Sequence, residues 1–145
     1  MKPTFAIASL LFVQGLILVS AQGKTTLDGI YSEPQAARGE TIYKESCASC
    51  HGDDLSGGGQ APALAGKEFN GDWVDLSMND LFDRTRLSMP ADKPGSLTPA
   101  QTVDVIAYLL KKGNFPPGAA DLPPDAAALK AIKFVSVPAP KSASA

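Results

Sequence analysis

Histidine, cysteine and tryptophan are almost missing from this chain, with one His, two Cys and one Trp in 145 residues. Two thiols and one imidazole cannot fill the four N and S positions of a structural zinc site. Charge of one sign is also scarce. Lys and Arg number 13 against 15 Asp and Glu, with no basic cluster. That balance excludes the dense positive surface that nucleic acid or an anionic membrane face requires. Long apolar runs are absent after the first twenty residues, and no convincing alternating strand pattern or internal repeat occurs.

What is present begins with an export signal. Met1–Ala21 carries Lys2 as a positive n-region, an apolar run over Phe5–Val19, and Val19-Ser20-Ala21 as a small-residue cleavage site. The run is broken by Ser9, Gln14 and Gly15 and falls short of the roughly 20 residues that span a bilayer. The expected location is the periplasm, without stable membrane insertion after cleavage. An uncleaved N-terminal anchor is the alternative reading of the same run. Cleavage removes Lys2 and no acid, which leaves a mildly acidic chain of single-domain size.

The organising stretch is Cys47-Ala48-Ser49-Cys50-His51. C-x-x-C-H is the signature of covalent c-type haem attachment. Thiols three residues apart on one turn can each add to a vinyl group of one porphyrin, and the following imidazole is the proximal ligand. A redox dithiol would follow a strand in a βαβ unit, and no strand is expected here. The haem thioethers use both thiols, so none remains for a disulfide. With His51 proximal, a second histidine ligand within the chain is impossible, and the sixth position falls to Met, a side chain such as Lys or Tyr, or water. Met1 leaves with the signal. Met78 would open a helix and pack at its end. Met89 lies in a loop, where Pro90 biases it towards an extended backbone suited to carrying sulfur to iron.

Three helices surround these residues in sequence. The first starts at Ser32, with Pro34 in its first turn and Gln35 completing an S-x-x-Q capping box. Ala36, Gly39, Tyr43 and Cys47 share one face, and Gly39 there suits a close crossing by another helix. The second runs from Ser77 to near Leu87, boxed by Asp80, with Leu81, Phe82 and Thr85 inward and Arg84 and Arg86 outward. The third is Thr98–Lys112, boxed by Gln101, ended by Gly113 and apolar on more than one stripe.

Between them, Gly52–Gln60 reads as a glycine-rich loop without the G-K-[ST] of a phosphate cradle, and Asp53 and Asp54 lack EF-hand spacing. A polar turn leads to Trp73, a core residue whose indole could alternatively reach a haem propionate. Pro123–Lys133 suggests a short helix, and Val137–Ala145 a disordered end.

A capped helix ending in CASCH, then Ala61-Pro62-Ala63-Leu64, a Met89-Pro90 loop and a helix containing Asp104-Val105-Ile106-Ala107-Tyr108-Leu109 resembles a class I mono-haem cytochrome c. The likeness spans about Tyr31 to Gly113. It implies an all-α fold wrapped round one haem c, bound through Cys47 and Cys50 and ligated by His51 and Met89. It also implies a Pro62 carbonyl that accepts from the proximal imidazole, Leu64 lining the haem, and Gly39 and Tyr43 crossing Val105 and Tyr108.

On that basis residues 1–21 are a signal peptide, 22–30 a lead-in, 31–113 the haem domain and 114–145 a Pro/Ala-rich extension. From Asp28 to about Lys133 the chain more loosely resembles cytochromes associated with quinoprotein alcohol dehydrogenases. The expected function is one-electron transfer from a periplasmic dehydrogenase, quinoprotein or other, to a terminal oxidase or another cytochrome. The carrier is either free or a subunit of a dehydrogenase. The alternative is a haem peroxidase or gas-binding protein with an open sixth position.

Overall fold

The computed structural model describes residues 23–138, so the signal-peptide reading and the far end of the tail lie outside the described residues. Helix α1 (Glu33–Ser46) begins where Ser32 turns its hydroxyl on the Gln35 amide, which donates to it at 3.2 Å. Gln35 does not close the expected box. Its side chain is buried and pairs with residue 122 instead, accepting from Leu122 N at 2.7 Å and donating to Leu122 O at 3.0 Å. Leu122 is a buried residue in an irregular, otherwise exposed stretch where its amide has no ladder to join, and the glutamine satisfies both of its backbone groups.

After the single turn α2 (Ala48–His51) and a loop comes α3 (Gly66–Trp73), where the sequence suggested only a turn. Its signal is weak. Gly66, Asn70 and Gly71 are poor helix formers, and Phe69 and Trp73 are its one apolar i, i+4 pair. Helix α4 (Met78–Ser88) starts as expected, with the Asp80 carboxylate accepting from Ser77 N at 2.8 Å and Ser77 Oγ at 2.6 Å. Helix α5 (Pro99–Lys112) carries the Thr98–Gln101 box, and Val105, Ile106, Tyr108, Leu109 and Leu110 are all buried.

Helices α1 and α5 pack on each other along the face the sequence marked. Gly39 lies so close to α5 that a Cβ on it would stand 1.8 Å from Asp104 O. Tyr43 and Tyr108 meet with ring centroids 5.3 Å apart. Above the crossing, Arg38 grips Asp104 with Nε and Nη2, both at 3.0 Å, and reaches Asp121 at 2.7 Å.

The end of α5 is not the end of the core. Phe115, Leu122, Leu129, Ile132 and Phe134 are buried with Tyr31 and Tyr43. Phe134 stands edge-on to Phe69 (6.2 Å) and Phe115 (5.4 Å), joining the C-terminal segment to α3. The short helix there, α6 (Ala126–Lys130), is narrower than expected because Asp125 caps it, accepting from Ala128 N at 2.8 Å. Beyond it β2 (Ile132–Lys133) pairs in parallel with β1 (Lys24–Thr25). Strands of two residues leave no alternation to read in a sequence, which is why none was expected. Thr26 locks this clasp, its hydroxyl donating to Val135 O at 2.8 Å and accepting from Val135 N at 3.0 Å. Among the described residues no helix is long and apolar enough to cross a membrane.

Candidate haem-attachment site

Helix α1 stops one residue short of the motif. Cys47 leaves the helical region (φ −126°, ψ −38°) while its amide still donates to Tyr43 O at 2.8 Å. The amides of Cys50 and His51 both turn back on Cys47 O, at 3.1 and 3.0 Å. Cys47, Cys50 and His51 therefore sit on one tight turn, with Cys47 half-buried, Cys50 exposed and both thiols unpaired. Burial, then the neighbouring Cys50, pushes the free Cys47 thiol up to about 11. A redox dithiol needs a lowered thiol, so this environment opposes that reading. Among the described residues no three His, Cys, Asp or Glu side chains gather as a metal cage.

His51 is buried, and its Nδ1 lies 2.8 Å from Pro62 O. A proline carbonyl can only accept, so Nδ1 carries the proton and donates, leaving the Nε2 lone pair for a metal. Such a partner fixes the ring and raises its basicity. The loop from Gly52 to Leu64 delivers that carbonyl. Gly57 N donates to His51 O at 2.8 Å, Gly58 and Ala61 exchange backbone bonds at 3.0 and 2.9 Å, and Leu64 N donates to Leu55 O at 2.9 Å. Gly57 adopts φ +78°, and a Cβ there would come within 2.6 Å of Ala61 O and 2.8 Å of Ala63 N and of the Pro62 carbonyl carbon. Sequence reasoning saw only a loop there, because nothing local singles out one glycine of three consecutive ones. Tyr43 adds a second role unseen in the sequence, its hydroxyl donating to Gly52 O at 2.7 Å.

Ile42, Cys47, Ala48, Leu64, Ala65 and Trp73 are partly buried apolar groups packed against the core. Met78 is fully buried in that core, and Met89 is only half-buried. Met89 caps α4 in the extended conformation that Pro90 favours (φ −120°, ψ 150°), with its amide donating to Thr85 O at 3.0 Å.

The two arginines of α4 separate. Arg84 is exposed as expected. Arg86 is not turned fully outward, since it is half-buried and its Nε is enclosed without a hydrogen-bond partner. An orphaned buried donor costs about 1–3 kcal/mol, and more when charged. A guanidinium so placed calls for an anion. Two thiols and an imidazole on one turn, with Nδ1 turned to the Pro62 carbonyl, suit an iron porphyrin, and the unpartnered Nε of Arg86 suits a carboxylate.

Comparison with known proteins agrees with this chemistry. The chain is 42% identical over 79 residues to the thiosulfate dehydrogenase of Stutzerimonas stutzeri strain A1501, covering 50% of this chain but only 26% of that enzyme. It is 30% identical over 95 residues to cytochrome c-551 of Bacillus subtilis strain 168, covering 62% of this chain and 82% of that protein. Over 31 residues it is 58% identical to cytochrome c-554(547) of Halothiobacillus neapolitanus, covering 21% of this chain and 34% of that one.

Among solved structures, the sulfane dehydrogenase SoxCD from Paracoccus pantotrophus overlaps 66% of this chain and 56% of its own, at a TM-score of 0.45 and 23% identity. The fold is the all-α class I cytochrome c fold, and the cofactor is one haem c held through Cys47 and Cys50. Residues 34–109, more than half of the chain, match the family described as cytochrome C oxidase, cbb3-type, subunit III, and to that family of c-type cytochromes the chain belongs.

Proposed function

We propose that this cytochrome is a periplasmic one-electron carrier with His51 and Met89 as axial ligands, taking electrons from a dehydrogenase and passing them to a terminal oxidase or another cytochrome. The single observation that carries the reading is the His51–Pro62 contact at 2.8 Å, which commits Nδ1 to donation and reserves Nε2 for the iron. The haem, once bound, supplies the redox-active iron, and its neutral thioether ligand favours the ferrous state. Cys47 and Cys50 anchor the group as thioethers. His51 is held in one tautomer, so its orientation survives a change in oxidation state. Leu64 would line the haem, and the Pro62 carbonyl holds the imidazole in place by accepting from Nδ1.

Met89 is favoured over Met78 because Met78 is enclosed in the core while Met89 stands half-buried in the loop after α4. Val19-Ser20-Ala21 motivates export. A dehydrogenase partner is suggested by the matched stretch of the Stutzerimonas stutzeri enzyme. A donor in a quinoprotein dehydrogenase is the narrower form of the same proposal.

The deciding experiment is intact mass and optical spectroscopy of the exported full-length protein. A chain starting at Gln22 with one acid-stable haem, and a ferric sulfur-to-iron charge-transfer band, is the expected outcome. A ferric protein that binds cyanide at once and lacks that band would sink the His/Met reading in favour of an open site of peroxidase or gas-binding type.

A further inference from the structure

Arg86 occupies the last turn of α4, one helical turn before Met89, and its Nε is enclosed with no hydrogen-bond partner. Among the described residues none of the ion pairs uses it. The carboxylate one turn back on its own helix, Asp83, is engaged by Asn79 Nδ2 at 2.7 Å. The loop carrying Met89 folds back beside it, with Gly95 adjacent to Arg86 O. A last-turn arginine that merely complements the helix dipole would keep its head in water, as the exposed Arg84 does.

We infer that Arg86 clamps a carboxylate of the haem, the propionate nearest the Met89 loop. The guanidinium fork matches a carboxylate through two parallel N–H···O bonds, which a lysine cannot reproduce. A propionate is the anionic part of an otherwise apolar group, and a half-buried arginine with an enclosed, unpartnered Nε beside the ligand loop is its natural counter-ion. The clamp would tie α4 to the cofactor one turn before Met89 and so limit the drift of that loop. A cation there also disfavours the ferric charge and raises the reduction potential. The inference rests on the haem reading but not on Met89 being the ligand.

The test uses the full-length holoprotein and the variants Arg86→Gln, Arg86→Lys and Arg84→Gln. In nitrogen-15-labelled ferrous protein, one arginine Nε–H should exchange slowly with water and show a nuclear Overhauser contact to a haem propionate methylene. Arg86→Lys should remove that signal while keeping the potential near the wild-type value. Arg86→Gln should remove the signal and shift the oxidised-to-reduced ratio at fixed poise about threefold or more towards the oxidised form. Arg84→Gln should change neither.

A haem-loaded wild-type protein with no protected Nε–H near a propionate would overturn the clamp, and so would Arg86→Gln and Arg84→Gln poising alike. If Arg86→Gln fails to accumulate, the wild-type and Arg86→Lys spectra still decide. A chain whose mass shows no haem defeats the cofactor assignment itself, a different failure from that of the clamp.

Discussion

Gly39 and Asp104 approach each other backbone to backbone, with room for no atom beyond hydrogen on the glycine. Helices α1 and α5 therefore cross at the closest distance their main chains permit, and Arg38 pins the same aspartate from the next position. A methyl group at residue 39 would meet Asp104 O at 1.8 Å, a backbone atom that cannot rotate away. Gly39→Ala should destabilise the fold by at least the ~1–3 kcal/mol typical of overpacking, despite the better helix propensity of Ala, and so lower the denaturant midpoint. An unchanged midpoint in urea unfolding would show that the crossing is looser.

Met78 and Met89 make opposite demands. Met78→Ala should cost about 2–5 kcal/mol, as for other buried methionines, and leave the ferric spectrum unaltered. Met89→Ala should abolish the sulfur-to-iron band, lower the potential and admit exogenous ligands quickly, with a smaller effect on unfolding. Optical and calorimetric measurements on both variants check the assignment, and the reverse pattern refutes it.

Gly57 sits under the Pro62 carbonyl. In Gly57→Ala the strained φ and the new Cβ should push the Ala61–Ala63 segment away and lengthen the His51–Pro62 bond. A weaker acceptor leaves the imidazole less basic, so the ferric state loses support and the potential should rise. Protein-film voltammetry reads the sign directly, and a fall would contradict this role for Pro62.

Phe134 completes the aromatic cluster with Phe69 and Phe115. Phe134→Ala should cost about 3–5 kcal/mol, and a chain ending at Lys133 should be destabilised at least as much. Thermal unfolding of the holoprotein tests this. A truncation that melted like the full chain would mean the C-terminal segment is a tail after all.

Asp121 accepts from Ser32 Oγ and Arg38, and those two bonds hold its carboxyl below the usual carboxylate range. A depressed native pKa contributes stability that is full above the unfolded value, near pH 4, and disappears as the pH falls through the lower native one. In Asp121→Asn the slope of stability against pH below about pH 4 should flatten. Asp121 and Arg38 are both solvent-exposed, so the effect is modest and weakens with salt. Denaturation midpoints across that range are the check, and parallel curves for the two proteins would remove Asp121 from the acid response.

Much of this protein is legible in its residues because the deciding information is local. C-x-x-C-H places two thiols and an imidazole on one turn whatever the surrounding fold. The Ser77–Asp80 and Thr98–Gln101 boxes satisfy helix ends with side chains three residues away, and Pro90 constrains Met89 through a single peptide bond. The face bearing Ala36, Gly39 and Tyr43 follows from a helical period of 3.6 residues.

What only the tertiary structure decided depends on groups far apart in the chain. Gln35 fits a capping box by sequence, yet two unpaired backbone groups 87 residues away claim its amide. The short strands exist because the ends of the described chain meet, and Phe134 becomes core because α3 supplies Phe69 opposite it. Arg86 reads as a solvated helix residue until packing encloses its Nε. Local chemistry names the atoms that can bind the haem, whereas burial and long-range hydrogen bonding decide which polar groups are left without a partner.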